Sequence, residues 1–276
     1  MKVLILGAKG SLGQTFVDLY HDHDVSAWDR DECDITDENQ THELITELTP
    51  DLVINCAAYN AVDKAEEDHG VADMINGSAV GFIAKAANEI GATMVHFSTN
   101  YVFDGNNQAG YNEDDATNPG SAYAKSKLLG EMELQENTDN FYLVRTAWLY
   151  GRSSETGKPS FVDSMLALAK DGKEIRGIVD EFASPTYVLD LAQATRALVE
   201  QNKPFGIYHL TNSGQTSWYE WAKEIFTIRG VKANLISISR DDYPRKAQRP
   251  QYGILNNTKF VELRPWTEAL KEYLGS

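Results

Sequence analysis

The chain has 276 residues, of which 42% are hydrophobic, and 41 acidic against 25 basic residues give a formal net charge of −16. Such an acidic surface repels a polyanion, so we do not expect nucleic-acid binding. No apolar run approaches the ~18 residues of a membrane span, and the apolar amino terminus is too short for a signal peptide. We therefore predict a cytoplasmic protein without a membrane partner.

Strand and helix patterns alternate through the first 150 residues. The predicted strands are Lys2–Leu6, Val25–Trp28, Asp51–Asn55, Ala92–Phe97 and Phe141–Arg145. The predicted helices are Gln14–Tyr20, Glu38–Leu48, Val62–Glu67, Val71–Glu89 and one that contains Tyr123–Lys127. This alternation predicts an α/β fold with a Rossmann-like, doubly wound parallel sheet.

Beyond Gly151 the pattern is less regular. Helices are predicted at Ser160–Lys170, Val188–Gln201 and Trp218–Arg229, and strands at Gly206–Leu210 and Asn234–Ile238. We predict a dinucleotide-binding domain over residues 1–151 and a smaller, mixed α/β substrate-binding region over 152–276. Some elements of the second region are expected to return to the first sheet, and a cleft between the two would be the usual ligand site.

A glycine-rich turn, Gly7-Ala-Lys-Gly10-Ser-Leu-Gly13, joins the first predicted strand to the first predicted helix. Glycines let the backbone approach a pyrophosphate at the positive end of the helix. The second strand ends in Asp29, which suits an adenosine ribose, and Arg30, which suits a 2′-phosphate. The choice between NAD and NADP therefore stays open, and a plain structural turn is the alternative for the glycines alone.

Tyr123 and Lys127 stand four residues apart in a predicted helix and therefore share one face. A free tyrosine has a pKa near ~10, and a cation a few ångströms away lowers it by favouring the phenolate. Such a tyrosine can act as a general acid or base near pH 7. For this spacing alone, a surface tyrosine beside a solvated lysine is the common alternative.

Three further signals have less specific interpretations. Four basic residues fall within ten positions and are a candidate anion site or, with the acids between them, a solvated loop: Arg240, Arg245, Lys246 and Arg249. The run His21–Asp24 is interpreted as a solvated turn and the cysteines as reduced thiols, so no metal site is predicted. Trp218 and Trp221 have helical spacing that is typical of packing.

In this order, the glycine turn, the hydroxyls after the fourth strand and the Tyr/Lys helix resemble the extended short-chain dehydrogenases/reductases. Longer segments narrow the resemblance, from residue 2 to about residue 270, to the dTDP-4-dehydrorhamnose reductase family. These segments are Asn55-Cys-Ala-Ala-Tyr-Asn-Ala-Val-Asp-Lys-Ala-Glu66, Ser98-Thr-Asn-Tyr-Val-Phe-Asp-Gly105, Arg145-Thr-Ala-Trp-Leu-Tyr-Gly151, Ala183-Ser-Pro-Thr-Tyr187, Gly206-Ile-Tyr-His-Leu-Thr-Asn-Ser-Gly214 and Arg249-Pro250.

The resemblance implies an oxidoreductase of dTDP-rhamnose and polysaccharide biosynthesis. It would use NADPH or NADH to reduce the C4 ketone of dTDP-6-deoxy-L-lyxo-4-hexulose. Tyr123 is implied as the proton donor, Lys127 as the group that lowers its pKa and holds the nicotinamide ribose, and Thr99 as a hydrogen-bond partner of the reacting oxygen. A magnesium requirement stays open, as does the choice between monomer and homodimer.

The resemblance also assigns binding residues. The implied cofactor-binding residues are Gly7, Gly10, Ser11, Leu12, Gly13, Asp29, Arg30, Asp34, Ile35, Ala57, Ala58, Tyr59, Tyr123 and Lys127. The implied substrate-binding residues are Thr99, Asn100, Trp148 and Arg249.

Two positions depart from the family's usual pattern. The family usually has Asp after the catalytic Thr, where this chain has Asn100, so a negative charge next to the substrate is missing. The Arg-Pro segment usually continues with Asn-Ser, where this chain has Gln251-Tyr252-Gly253. Two alternatives therefore stay open: a reductase or epimerase of another nucleotide sugar, and a non-catalytic NADP-binding regulatory subunit. Dehydration is not expected, because Asn100-Tyr101 lacks the carboxylate pair of the dehydratases.

Overall fold

The computed structural model describes residues 1–153, 155 and 159–275. The strands in these ranges are β1 (Lys2–Leu6), β2 (Asp24–Trp28), β3 (Leu52–Asn55), β4 (Thr93–Thr99), β5 (Phe141–Thr146), β6 (Leu149–Tyr150), β7 (Glu174–Ile178), β8 (Phe182–Ala183), β9 (Thr186–Tyr187), β10 (Gly206–His209), β11 (Asn212–Ser213), β12 (Thr216–Ser217), β13 (Asn234–Ile238) and β14 (Leu263–Pro265). The helices are α1 (Ser11–Leu19), α2 (Glu38–Leu48), α3 (His69–Asp73), α4 (Ala79–Glu89), α5 (Ala122–Asn137), α6 (Phe161–Lys170), α7 (Val188–Glu200), α8 (Trp218–Arg229) and α9 (Trp266–Tyr273). No helix in this part of the chain is long and apolar enough to cross a membrane.

Six parallel strands form the central sheet, in the spatial order β10-β5-β4-β3-β1-β2. The predicted α/β, Rossmann-like fold is thus confirmed. Strand β10 pairs with β5, so the chain returns to this sheet after the irregular region. Strand β4 extends two residues beyond the predicted end at Phe97, because Ser98 and Thr99 pair with β5.

Helices cover both faces of the sheet, and the side chains of β1 show how. Val3 and Ile5 pack into a core with Phe16 of α1 and with residues of α7. Leu4 and Leu6 point to the opposite face, where residues of α2 and α4 complete a second core. Because successive side chains of a strand alternate between faces, a strand buried on both sides consists of a continuous apolar run.

Two predicted helices differ in the structure. The segment predicted as a helix over Val62–Glu67 forms only a single 3₁₀ turn, Lys64–Glu66, since so short a segment gains few intrahelical bonds. The predicted helix Val71–Glu89 contains a π-helical turn, Met74–Ser78, between α3 and α4. This turn carries Asn76, whose side-chain amide accepts from the Tyr59 backbone N–H at 2.8 Å and donates to its carbonyl at 3.0 Å.

Helix α5, which carries Tyr123 and Lys127, is positioned by close contact with the π-helical turn. A Cβ atom built on Gly130 of α5 would lie only 2.0 Å from the Asn76 carbonyl oxygen. The absence of a side chain at this position therefore sets the distance between α5 and the turn.

The carboxyl-terminal region has its own small core beside the sheet. Strands β7 and β13 pair in parallel, and α6 and α8 pack around the fully buried ring of Trp221. This core supports α8 and the start of α6, which both border the cavities described below.

Substitution of Gly130 should show how tightly α5 is held. We expect Gly130→Ala to lower the free energy of unfolding by about 1–3 kcal/mol, because the added methyl group overpacks the contact with Asn76. Urea denaturation measures this change. Gly70→Ala in α3 is the matched control, since nothing lies within 4 Å of its added Cβ, and it should leave stability unchanged or slightly raised. Equal effects of the two substitutions would contradict this packing.

Candidate active site

A cavity of about 810 Å³ lies at the carboxyl ends of the central strands. Its described lining comes mainly from the segments that follow β1, β2, β3, β4 and β5, and from α5, with further residues at the starts of α6, α7 and α8. In an open parallel sheet this edge is the usual ligand-binding crevice. The predicted site residues that line it are Gly7, Gly10, Ser11, Leu12, Gly13, Asp29, Arg30, Asp34, Ile35, Ala57, Ala58, Thr99, Asn100, Tyr123, Lys127 and Trp148.

The glycine turn brings main chain against main chain at one end of the cavity. Gly7 has a φ of +73°, and a Cβ at this position would lie 2.6 Å from the Ala57 nitrogen. A Cβ on Gly13 would lie 2.2 Å from the Gly7 carbonyl oxygen. The turn thus offers backbone rather than bulky side chains at the amino terminus of α1, which favours an anionic group such as a pyrophosphate.

Charged groups border the cavity next to the glycine turn. The Asp29 carboxylate accepts hydrogen bonds from the backbone N–H groups of Lys9 at 3.0 Å and Arg30 at 2.9 Å. The Arg30 side chain is 85% exposed and lies 3.6 Å from Asp34. Hydrogen bonds from Thr36 lower the pKa of Asp34, so this carboxylate remains charged. An oriented carboxylate and an available guanidinium thus stand where a ribose and its phosphate would be recognised.

Thr99, Tyr123 and Lys127 line the cavity together, although Thr99 is on β4 and the other two are on α5. Tyr59 is different, because it is not among the lining residues. Its backbone is bound by Asn76, and its side chain packs against a small apolar cluster that includes Tyr123. The role of Tyr59 in cofactor binding therefore stays a prediction from the resemblance.

The pKa of Tyr123 is raised, mainly because the phenol is buried. The nearby Tyr101 raises it further, and a hydrogen bond with Thr99 opposes the shift. The predicted lowering of this pKa is therefore wrong for this structure, because burial dominates the shift and Lys127 is not among the groups that cause it. At neutral pH the phenol is held in its protonated form, as a proton donor requires.

Lys127 is buried more deeply than Tyr123, with 3% of the residue exposed against 9%. Burial lowers its pKa from the usual 10.5 to about 8, and the negative charge of Glu131 opposes this shift. Its Nζ donates a hydrogen bond to the Phe97 carbonyl oxygen at 2.7 Å and lies 3.5 Å from His96 Nε2.

His96 belongs to the site, and the sequence did not reveal it. The Ala57 backbone N–H donates to Asn55 Oδ1 at 3.1 Å, so the Asn55 amide nitrogen faces His96 Nδ1 at 3.2 Å. His96 Nδ1 must then accept, and the proton of the neutral ring is on Nε2, facing Lys127. Burial, followed by the charge of Lys127, lowers the pKa of His96, so the ring stays neutral. A facing N–H group disfavours the ammonium form of Lys127, in agreement with its lowered pKa.

A second cavity, of about 830 Å³, adjoins the first. The residues that line both are Val62, Tyr101, Phe161 and Trp218. Arg249 lines only the second, where its guanidinium forms two bonds to the Asp63 carboxylate, at 2.7 and 3.0 Å. This pairing holds the pKa of Asp63 at about 2.

The cations of the basic segment are therefore paired with acceptor groups of the protein. Arg245 bonds Glu181, Lys246 bonds Glu67, and Arg240 donates to the Arg249 carbonyl. Arg245, Lys246 and Arg249 nevertheless line the second cavity, together with Arg176, which the sequence analysis missed. The segment's cations border a cavity and are balanced by carboxylates, so the anion site stays a prediction.

Trp218 lines both cavities, and Trp148, which lines the first, stacks on it. Their rings stack with centroids 3.7 Å apart and an interplanar angle of 24°. Trp148 has a φ of +45°, which a bulky residue adopts only when its surroundings hold it there. The prediction that the tryptophans serve in packing is right for the buried Trp221, whereas Trp218 both packs and lines the two cavities.

Comparisons with known proteins agree with this arrangement. The family model described as RmlD substrate binding domain matches residues 1–276. The spore coat polysaccharide biosynthesis protein SpsK of Bacillus subtilis (strain 168) is 38% identical over 99% of this chain and 96% of its own length. A dTDP-4-dehydrorhamnose reductase of Burkholderia thailandensis is 36% identical over 100% of this chain and 93% of its own.

A solved structure is similar over nearly the whole chain. The dTDP-4-dehydrorhamnose reductase of Bacillus anthracis str. Ames, in complex with NADP, superposes with a TM-score of 0.95 at 34% identity, covering 99% of this chain and 98% of that one. The resemblance drawn from the sequence motifs is thus confirmed over the full length. The chain belongs to the RmlD substrate binding domain family.

Proposed function

We propose that this protein is a dTDP-4-dehydrorhamnose reductase, which reduces the C4 ketone of dTDP-6-deoxy-L-lyxo-4-hexulose to give dTDP-L-rhamnose. The observation that carries the proposal is the joint placement of Thr99, Tyr123 and Lys127 in one cavity. That cavity has a glycine turn at one end and adjoins an arginine-lined cavity at the other. Membership of the family and the names of the relatives support the same reaction.

The residues of the first cavity fit a nicotinamide dinucleotide. The glycine turn leaves room for a pyrophosphate, and Asp29 and Arg30 lie where the adenosine ribose would follow. Asp34 and Ile35 would border the adenine, and Ala57 and Ala58 the path to the nicotinamide. NADPH or NADH, when bound, supplies the hydride.

Tyr123 would supply the proton. As the ketone carbon accepts hydride, its oxygen becomes an alkoxide, a much stronger base than a phenolate, and takes the phenolic proton. The raised pKa of Tyr123 keeps this proton in place until then. Thr99 would stabilise the resulting phenolate by hydrogen bonding, and Lys127 would stabilise it by charge, so both act most strongly in the transition state.

The second cavity would take the nucleotide part of the substrate. Arg249 is a suitable partner for the diphosphate because its planar fork matches two oxygens at once, and Trp148, which lines the first cavity, would contact the sugar. In this proposal residues 1–151 bind mainly the dinucleotide and residues 152–276 mainly the sugar nucleotide. The cytoplasmic location and the choice between monomer and homodimer stay predictions from the sequence.

An assay with purified protein separates the candidate functions. NADPH and the dTDP-4-keto sugar are mixed, and the absorbance of the reduced nicotinamide is followed. We expect this absorbance to fall in step with formation of the alcohol product. Tight NADP binding without turnover would indicate a regulatory subunit, and a changed sugar without net consumption of NADPH would indicate an epimerase.

Tyr123→Phe should separate catalysis from cofactor binding. We expect kcat to fall by roughly 10²-fold or more, because the general acid is lost while the ring remains. NADPH affinity, measured by fluorescence titration, should stay nearly unchanged. Tyr142→Phe is the matched control, since it loses an ordinary hydroxyl bond to the Lys203 carbonyl outside both cavities. Near-full activity of Tyr123→Phe would show that Tyr123 is not the proton donor.

Arg249→Ala should act mainly on substrate binding. We expect the KM for the sugar nucleotide to rise roughly 10-fold or more with little change in kcat, because the diphosphate is held similarly in ground and transition states. Arg249→Lys should recover only part of this loss, since it keeps the charge but not the fork. Steady-state kinetics test both variants, and an unchanged KM in Arg249→Ala would place the phosphate site elsewhere.

The burial of Lys127 should carry a cost in stability that depends on pH. Its pKa is about 8 in the folded protein and near 10.5 when exposed, so the unfolded chain binds more protons between these values. The free energy of unfolding should therefore rise with pH in this window, by about 3 kcal/mol in all. We expect Lys127→Met to lose this rise along with its activity. Parallel stability curves for the two proteins between pH 7.5 and 10.5 would contradict the assignment.

A further inference from the structure

The two positions that depart from the family's pattern, Asn100 and Gly253, touch each other in the structure. The Asn100 side-chain amide, which is 1% exposed, donates a hydrogen bond to the Gly253 carbonyl oxygen at 2.8 Å. A Cβ built on Gly253 would lie 2.1 Å from that amide nitrogen. Any larger residue at position 253 must therefore displace Asn100, and the residues at these two positions have to fit each other.

Hydrogen-bonding capacity fixes the orientation of the Asn100 amide. A backbone carbonyl only accepts, so Nδ2 faces Gly253 and Oδ1 faces Thr99. The Thr99 hydroxyl donates to this Oδ1 at 3.3 Å and accepts from the Tyr101 backbone N–H at 3.2 Å. A typical O–H···O bond is about 2.7–2.8 Å long, so the bond to Asn100 is weak. The Thr99 proton can therefore turn toward another acceptor.

The acceptor that matters is the oxygen of Tyr123. Thr99 and Tyr123 line the same cavity. In the proposed reaction the tyrosine oxygen becomes a phenolate, and a hydrogen bond from the Thr99 hydroxyl would favour that charge. A carboxylate at position 100 would compete for the same proton with a charge-assisted bond, which is roughly twice as strong as a neutral one. It would also place a negative charge against the Gly253 carbonyl, which has nothing to donate.

The carbonyl that orients Asn100 is itself held in place. The backbone N–H of Gly253 donates to the Phe182 carbonyl at 2.7 Å, and that of Tyr252 donates to the Gly105 carbonyl at 3.0 Å. Gly105 allows this contact because a Cβ there would lie 2.4 Å from the Pro250 Cα. The segment after Arg249 is thus fixed on two sides and cannot follow Asn100 if its side chain changes.

We propose that Asn100 and Gly253 form a matched positioning pair, in which Gly253 orients the Asn100 amide so that the Thr99 hydroxyl proton stays available to Tyr123. The inference rests on the proposed reductase function. It assigns to Asn100 an effect on the rate of proton transfer rather than on the binding of substrate or cofactor.

Asn100→Asp is the decisive variant, because it keeps the shape of the side chain and replaces the donor with a charge. We expect kcat to fall roughly 10-fold or more, while the KM for the sugar nucleotide and the affinity for NADPH change much less. Asn257→Asp is the matched control: its amide also donates to a carbonyl, that of Val261, at 2.7 Å, outside both cavities. This control should keep the wild-type kcat.

A double-mutant cycle tests the pairing. Gly253→Ala should also lower kcat, by displacing the amide. If the two residues act together, the doubly substituted protein should retain roughly 10-fold more activity than the product of the two single effects predicts. Independent, multiplying effects would overturn the pairing.

The outcome for Asn100→Asp alone is sufficient if Gly253→Ala does not fold. A wild-type kcat in Asn100→Asp would overturn the proposal. A variant that loses kcat, NADPH affinity and melting temperature together would also overturn the proposal, since that pattern marks a folding defect. Failure of the reductase function itself is distinguishable, because the unaltered protein would then not consume NADPH with the dTDP-4-keto sugar.

Discussion

The burial of Lys127 is the constraint on which the site depends. An amine that is excluded from water can stabilise a nearby negative charge strongly, but it also loses its own hydration. The structure provides partial compensation through the Phe97 carbonyl and the negative charge of Glu131, while His96 presents an N–H group. The pKa of Lys127 is consequently about 8, close to physiological pH. The burial of Lys127 lowers the free energy of unfolding at neutral pH, and it leaves an amine in the cavity that can stabilise a negative charge.

Close approaches of main chain fix the geometry around that lysine. The first strand-to-helix turn lies against Ala57 because Gly7 has no side chain, and α5 lies against the π-helical turn because Gly130 has none. These two contacts set the distance between the cofactor end of the cavity and the helix that carries Tyr123. A strand and a helix thus hold Thr99, Tyr123 and Lys127, as the proposed catalysis by positioning requires.

The sheet and the location of the site were predictable from the sequence, because they depend on local patterns. The apolar run Lys2–Leu6, the glycine turn after it and the four-residue spacing of Tyr123 and Lys127 each predict a local structure that is present. The direction of the pKa shift of Tyr123 was predicted wrongly, since burial depends on packing between segments far apart in the chain. His96 was missed for the same reason, because only the fold brings it to Asn55 and Lys127.

The stacked pair of Trp148 and Trp218 has a consequence for how such an enzyme diverges. Because Trp218 lines both cavities and carries Trp148 on its face, a substitution that enlarges one cavity also reshapes the other. A change of specificity in either cavity therefore requires coordinated substitutions. A single substitution at Trp148 or Trp218 alters the fit of ligands in both cavities.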